Sequence, residues 1–125
     1  MIEASRIPIL KIGDFLVASI QVELYDKSAV LFKDDLLQEI YRTKAKGLIL
    51  DLTAVEVVDS FMGRIITEVG AMAGLMGTKL VITGLQPAVA ITLVELGLEL
   101  QGVYTALNLE KGIATLERII AEGEE

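Results

Sequence analysis

Ser60 is the residue whose chemical type and position most favour a functional role. The apolar run 47–52 has the composition of a strand buried on both faces, and a helical pattern of apolar residues begins at Ser60. Ser60 therefore lies where a central strand passes to a helix, at the edge where ligands and partners dock on open α/β sheets. A phosphate there would carry about −1.5 to −2 charges, which the helix amino terminus would tolerate.

A second interpretation gives Ser60 a purely structural role. Ser and Asp are the ordinary N-cap residues, so Asp59 or Ser60 could accept a backbone N–H of the helix, a contribution of about 1 kcal/mol. On the phosphorylation hypothesis, the added charge lies beside Asp59, with Arg64 one turn away as an internal counter-ion. Both interpretations stay open because a capping residue can also be a switch.

Other kinds of reactive site are poorly supported. Histidine and cysteine are absent from all 125 residues, which excludes catalysis by Ser-His or Cys-His pairs, zinc-histidine sites and disulfides. The carboxylates Asp51, Glu56 and Asp59 surround the turn and could hold Mg²⁺, but surface acids at loop ends are the simpler explanation. The GxGxxG and GxxxxGK[ST] motifs are both missing. We therefore predict neither a cofactor nor a metal site.

The composition predicts one globular domain with protein partners. The chain is 53% apolar and 23% charged, which excludes a disordered protein, and no apolar run approaches the roughly 18 residues needed to cross a bilayer. The amino terminus lacks the pattern of a secretory signal. A net charge of −7 argues against nucleic acid, and the mean hydropathy of +0.58 leaves apolar surface that other subunits could cover. We expect a cytoplasmic protein that binds neither nucleic acid nor membranes.

The apolar patterns alternate in the order β-β-α-β-α-β-α-β-α. Gly13-Asp14 predicts a hairpin turn between the first two strands, Gly47 is expected to end the first helix, and Asn108 is expected to cap the last. The predicted strands cover 7–12, 15–20, 48–53, 79–83 and 103–107, and the predicted helices 27–46, 60–76, 87–96 and 109–120. This order predicts a single α/β domain over 1–125, with its core at about 7–120, a mostly parallel sheet, an antiparallel edge strand and about four helices.

The predicted helix 60–76 has two faces. Its apolar side should pack on the sheet and carries Phe61, Met62, Ile65, Ile66, Val69, Met72 and Met76. Its outward side carries Ser60, Gly63, Arg64, Thr67, Glu68 and Ala71. Gly70 and Gly74, one turn apart, predict a close approach, either inside the domain or against another subunit.

A second run should reach the same edge of the sheet. Residues 84–88 follow the next strand, and Gln86 within them is expected to complete a docking surface beside the helix start. The predicted partner-binding residues are Asp59, Ser60, Gly63, Arg64 and Gln86.

The chain carries Val57-Val58-Asp59-Ser60 at the predicted strand-to-helix turn and Thr83-Gly84-Leu85-Gln86-Pro87-Ala88-Val89-Ala90 after the next predicted strand. These two motifs resemble the STAS family, which includes anti-sigma factor antagonists and stressosome scaffold proteins. The resemblance covers about Ile7 to Ile120. Phe61-Met62-Gly63-Arg64 after the serine, together with the stretch from Gly84 to Gly97, is most similar to the small single-domain stressosome antagonists.

The resemblance implies a non-enzymatic scaffold that assembles with larger paralogues bearing sensory domains and that sequesters a serine/threonine kinase. In the family pattern, Ser60 matches the serine that this kinase phosphorylates, which releases the kinase into a stress-response pathway until a phosphatase resets the site. Asp59 matches the acidic residue before it. Whether Thr53, Thr83 or Thr92 is a second phosphorylation site stays open.

Two alternatives remain from the sequence. One is a monomeric or dimeric anti-sigma factor antagonist that binds its kinase one-to-one, which native mass would separate from a large assembly. The other is a small ligand- or nucleotide-binding domain built on Asp51, Glu56 and Asp59, which should bind Mg²⁺ or a nucleotide in a calorimetric titration.

Overall fold

The computed structural model describes residues 7–21, 26–97 and 102–123. The elements follow in the predicted order: β1 (Ile9–Ile12), β2 (Phe15–Ser19), α1 (Asp26–Thr43), β3 (Gly47–Asp51), α2 (Ser60–Leu75), β4 (Lys79–Thr83), α3 (Pro87–Glu95), β5 (Val103–Ala106) and α4 (Leu109–Gly123). The predicted strand 15–20 is one residue longer than β2. The predicted strand 103–107 is one residue longer than β5, because Leu107 already lies outside the strand. The α/β prediction is confirmed.

The five strands form one sheet in the order β1-β2-β3-β4-β5. β1 and β2 make the predicted antiparallel hairpin, whose turn contains Gly13 at φ 58°, and each later strand pairs in parallel with the one before it. Because right-handed crossovers between sequential neighbours always pass over the same side, α1, α2 and α3 share one face of the sheet. Of the helices in the described ranges, α4 is the one that packs on the opposite face.

β3 shows how the sheet separates two cores. Leu48, Ile49 and Leu50 are all fully buried, which confirms a strand covered on both sides. Leu48 and Leu50 belong to the larger cluster with α1, α2 and α3, whereas Ile49 belongs to a small cluster with Leu116 of α4. Successive side chains of β3 therefore pack against helices on opposite faces of the sheet.

The predicted end of the first helix is wrong. α1 ends at Thr43, and Lys44 adopts the left-handed conformation at φ 56° that a glycine normally supplies. Gly47 instead opens β3, where an added Cβ would lie 2.7 Å from Leu116 Cδ1 and 3.1 Å from Phe15 Cδ1. This glycine therefore allows α4 to approach the sheet and has no part in the helix cap.

The predicted faces of α2 need two corrections. Gly63, expected to face outward, is buried, whereas Met76, expected to pack on the sheet, is the exposed C-cap. α1 packs against α2, and Lys33 Nζ lies 3.3 Å from Glu68 Oε1 across this contact. Gly63 lies two turns before Gly70 and so shares the side of α2 that faces Leu80 and Val103, which makes the buried stripe wider than the predicted row.

Gly70 and Gly74 lie in opposite environments on α2, which predicts opposite effects of alanine. A Cβ at Gly70 would lie 2.9 Å from Val103 Cγ2 and 3.3 Å from Leu80 Cδ2, whereas a Cβ at Gly74 meets nothing within 4 Å. We expect Gly70→Ala to lower the free energy of unfolding by about 1 kcal/mol through overpacking, because Val103 is β-branched and stiff. Gly74→Ala should raise it by about 0.5–1 kcal/mol through helix propensity.

Urea unfolding of the two variants beside the wild type measures both effects. Each variant is the control for the other because the substitution and the helix are the same. A stabilising Gly70→Ala would contradict the close approach of α2 to the sheet.

Some large apolar side chains remain exposed within the described ranges, as the composition predicted. The most exposed are Leu75 at 89%, Val94 at 77%, Leu107 at 72% and Val57 at 67%. None of the helices in these ranges combines the length and the apolar character that crossing a bilayer requires.

Candidate functional site

The loop between β3 and α2, residues 52–59, holds the candidate serine in place from inside the protein. Val55 and Val58 are buried in the larger core, and Val55 N donates a 2.9 Å hydrogen bond to Leu52 O. Val57, between the two buried valines, points its side chain into solvent. Two apolar anchors therefore fix a loop that has no regular secondary structure of its own.

Asp59, rather than Ser60, caps α2. Its backbone is extended (φ −95°, ψ 177°), and its Oδ1 accepts a 2.8 Å hydrogen bond from Met62 N. Ser60 is the first residue of the helix, and its exposed hydroxyl makes no hydrogen bond with any residue of the described ranges. Of the two cap candidates in the sequence, Asp59 is the N-cap, and the serine hydroxyl stays accessible.

The predicted docking residues do not all reach the surface. Asp59, Ser60 and Arg64 are exposed around the first turn of α2, and Arg64 makes no ion pair within the part of the chain that the structure describes. Gly63 is buried in the same turn. As a glycine it has no side chain to present to a partner, and its part in partner binding stays a prediction.

Gln86 links the loop between β4 and α3 to the loop between β3 and α2. Its Nε2 donates a 2.8 Å hydrogen bond to Thr53 O, at the start of the β3–α2 loop. Beside it, Gly84 has φ +70°, and a Cβ added there would collide with Thr53 Oγ1 and lie 3.0 Å from Thr53 Cα. The predicted meeting of the 84–88 run with the serine-bearing loop is therefore a direct contact.

A polar network under this edge was missed by the sequence analysis. Asp51 Oδ1 accepts hydrogen bonds from Thr83 Oγ1 at 2.7 Å and from Thr53 Oγ1 at 2.8 Å, and Asp51 Oδ2 accepts from Ser19 Oγ at 3.3 Å. Gln21 Nε2 extends the network by donating to Ser19 Oγ at 2.6 Å. One carboxylate thus links the ends of β2, β3 and β4 to the loop.

The signal for this network is in the sequence, but it needs the strand register. Ser19, Asp51 and Thr83 each end an apolar strand, and the parallel register aligns Ser19 with Asp51 and Asp51 with Thr83. Three polar strand ends on neighbouring strands would have predicted the row.

The acidic group around the turn does not form a metal site. Within the described ranges, no three His, Cys, Asp or Glu side chains converge closely enough to hold a metal ion. Asp51 is occupied by hydroxyl donors, and Asp59 by the helix cap. The arrangement can present a hydroxyl and carboxylates to a partner, but it does not gather ligands around a cation.

The candidate threonines differ in access. Thr83 is fully buried and donates to Asp51, so its hydroxyl is out of reach of another protein. Thr53 is exposed but also donates to Asp51, and Thr92 Oγ1 donates to Ala88 O within α3 at 2.9 Å. Of these hydroxyls and that of Ser60, only Ser60 is both exposed and free of a hydrogen bond within the described ranges.

The fold and the site together define an α/β domain that presents a serine at a strand-to-helix turn. The STAS domain family model matches residues 6–111, so the chain belongs to the STAS-domain family. The resemblance noted from the two motifs is confirmed.

Relatives within the family share most of this chain. A solved structure of a serine-to-glutamate variant of RsbS from Moorella thermoacetica is 47% identical, covers 94% of this chain and 99% of that chain, and has a TM-score of 0.85. A chain from a structure on the molecular architecture of the stressosome, described as a signal integration and transduction hub, is 48% identical, covers 90% and 98%, and has a TM-score of 0.81.

A curated relative is longer than this chain. The RsbT co-antagonist protein RsbRA of Bacillus subtilis is 31% identical over 96 residues, which are 73% of this chain and 35% of that protein. The chain thus spans about a third of that relative's length.

Proposed function

We propose that this chain is a non-enzymatic scaffold of a stressosome, which sequesters a serine/threonine kinase and releases it when Ser60 is phosphorylated. The observation that carries the proposal is the accessible, unbonded Ser60 hydroxyl at the first turn of α2, in a chain that matches an RsbS structure over nearly its full length. The pathway is stress-response signalling in the cytoplasm, and a phosphatase returns Ser60 to its free state.

The local structure supports a switch that changes the surface and keeps the fold. Met62 N is already paired with Asp59, so a phosphate on Ser60 is not needed to hold the helix start. The helix dipole favours negative charge at this end, and Arg64 is available one turn away. The folded state should therefore tolerate phosphorylation.

The same charge explains how a partner would be released. Exposed Asp59 and Glu56 already lie in and next to this turn. A partner surface that fits a neutral hydroxyl beside Asp59 would have to accept two adjacent negative groups after phosphorylation. Desolvating them without added cations weakens binding, so the modified chain would lose its kinase.

Assembly with copies and larger paralogues is part of the proposal. The exposed aliphatic side chains are the kind of surface that other subunits cover. The name of the curated relative, RsbT co-antagonist, supports a target held jointly by this chain and a longer STAS protein. We take that shared target to be the sequestered kinase.

Affinity capture from cytosol tests this function. Baits are the wild type, Ser60→Ala and Ser60→Asp, with Gln38→Glu as a control that adds one negative charge at an exposed position of α1. We expect the wild type, Ser60→Ala and Gln38→Glu to recover a kinase and larger STAS proteins. Ser60→Asp should recover the kinase at least about tenfold less well and keep the STAS proteins.

The captured kinase should also transfer phosphate from ATP to the wild type but not to Ser60→Ala. Equal kinase recovery by Ser60→Asp and Gln38→Glu would refute the switch and leave Ser60 as an ordinary first residue of a helix.

A further inference from the structure

Thr53 is held on three sides at the point where the chain leaves β3. Its hydroxyl donates to Asp51 at 2.8 Å, its carbonyl accepts from Gln86 at 2.8 Å, and its Cα side is closed by Gly84. The next residues anchored in the core are Val55 and Val58, and the Asp59 cap follows immediately. The backbone conformation at Thr53 therefore helps to determine where the loop places Ser60.

We infer that Asp51 is a positioning residue that holds the Ser60 loop in the conformation its partner binds, acting through Thr53 and Thr83. The part that concerns the loop conformation is independent of the proposed function, and the part that concerns partner binding rests on it.

The chemistry of the network requires an acceptor at this position. Thr53 and Thr83 donate to the same oxygen, Asp51 Oδ1, and Thr83 is fully buried. Removing that oxygen leaves a buried hydroxyl without a partner and releases Thr53 from the end of β3. Hydrogen bonds to an ionised carboxylate are also stronger than those to a neutral acceptor, so Asp51 restrains both threonines firmly.

An amide can replace part of this role, which gives a conservative variant. In Asp51→Asn the side-chain oxygen can still accept from Thr53 and Thr83, and the new NH₂ group faces Ser19 Oγ, a hydroxyl that can accept. Asp51→Ala removes every acceptor at the position. The two variants therefore separate loss of the hydrogen bonds from loss of the negative charge.

Amide hydrogen exchange followed by NMR tests the positioning role without any partner. The probes are the amides of Leu52, Val55 and Met62, which are hydrogen-bonded at the start, middle and end of the loop region, and Val69 in the middle of α2 as the reference. In Asp51→Ala we expect the acceleration at the three loop amides to exceed that at Val69 by about tenfold, since Val69 reports only the global stability lost with the unpaired Thr83 hydroxyl.

The controls distinguish a local role from a general loss of stability. Asp51→Asn should exchange within about threefold of the wild type at the loop amides, and so should Asp34→Ala, which removes an exposed aspartate of α1. Equal acceleration at Val69 and at the loop amides in Asp51→Ala would overturn the inference, since Asp51 would then stabilise the whole domain without positioning the loop. Unchanged loop amides would overturn it as well.

Kinase capture tests the consequence for binding, at a temperature where circular dichroism shows every bait folded. Asp51→Ala should recover the kinase at least about tenfold less well than the wild type, and Asp51→Asn should restore most of the recovery. Full recovery by Asp51→Ala would overturn the link between loop position and docking. If the wild type recovers no kinase, the proposed function fails, while hydrogen exchange still decides whether Asp51 positions the loop.

Discussion

Replacing Gly84 with alanine is expected to lower the free energy of unfolding by about 2–5 kcal/mol. Gly84 has φ +70°, a conformation that adds about 1–2 kcal/mol for a residue with a Cβ. The new methyl group would also lie 3.0 Å from Thr53 Cα, and overpacking of this kind adds about 1–3 kcal/mol. Thr53 cannot move away easily because Asp51 and Gln86 both hold it.

Gly97→Ala is the matched control for this prediction. Gly97 also has φ +70°, but a Cβ there meets nothing within 4 Å. Gly97→Ala should therefore lose only the backbone contribution, about 1–2 kcal/mol. Urea unfolding of both variants measures the difference, which isolates the contact between Gly84 and Thr53. Equal losses would mean that the two loops are not tightly packed.

Leu116→Ala should destabilise the chain by about 3–5 kcal/mol. Leu116 is fully buried, and it belongs to the small cluster that holds α4 on its face of the sheet, with Phe15, Val17, Ile49 and Val81. Truncating a buried leucine loses its transfer free energy and leaves a cavity. Relaxation is limited because the sheet lies on one side and the backbone of α4 on the other.

Leu109→Ala on the same helix provides the comparison. Leu109 begins α4 and is exposed, so its truncation should change stability by less than about 1 kcal/mol. Chemical denaturation followed by circular dichroism checks both variants. A Leu116→Ala variant as stable as Leu109→Ala would contradict the packing of α4 on the sheet.

The order of strands and helices was predictable because each element carries its own periodic pattern. The continuous apolar run of β3 and the turn at Gly13 both depend on local sequence alone, and the structure agrees with them. The end of α1 was missed because Lys44 adopts a conformation that glycine normally supplies. Gly47 was assigned to the helix end for a different reason, because the residue that requires a glycine there, Leu116, lies far along the chain.

The candidate site was predictable only in the parts that depend on local sequence. The strand-to-helix turn and its serine follow from local patterns, whereas the Asp51 network depends on how three strands align, and no single strand contains that register. The burial of Gly63 depends on how α2 lies across the sheet, which the periodicity of α2 cannot report. Contacts between elements are therefore what the sequence analysis lacked.

Within the described ranges, α4 is the helix that covers the second face of the sheet, and it comes last along the chain. Each parallel strand pairs with the next along the chain, so the sheet and its three-helix layer can form progressively during synthesis. The other face cannot close until α4 has been made, because Leu116 must pack back against Ile49 and the start of β3. Until then Ile49 and Val81 are exposed to water, so the nascent domain passes through a stage in which one face of its sheet is an exposed apolar surface prone to association.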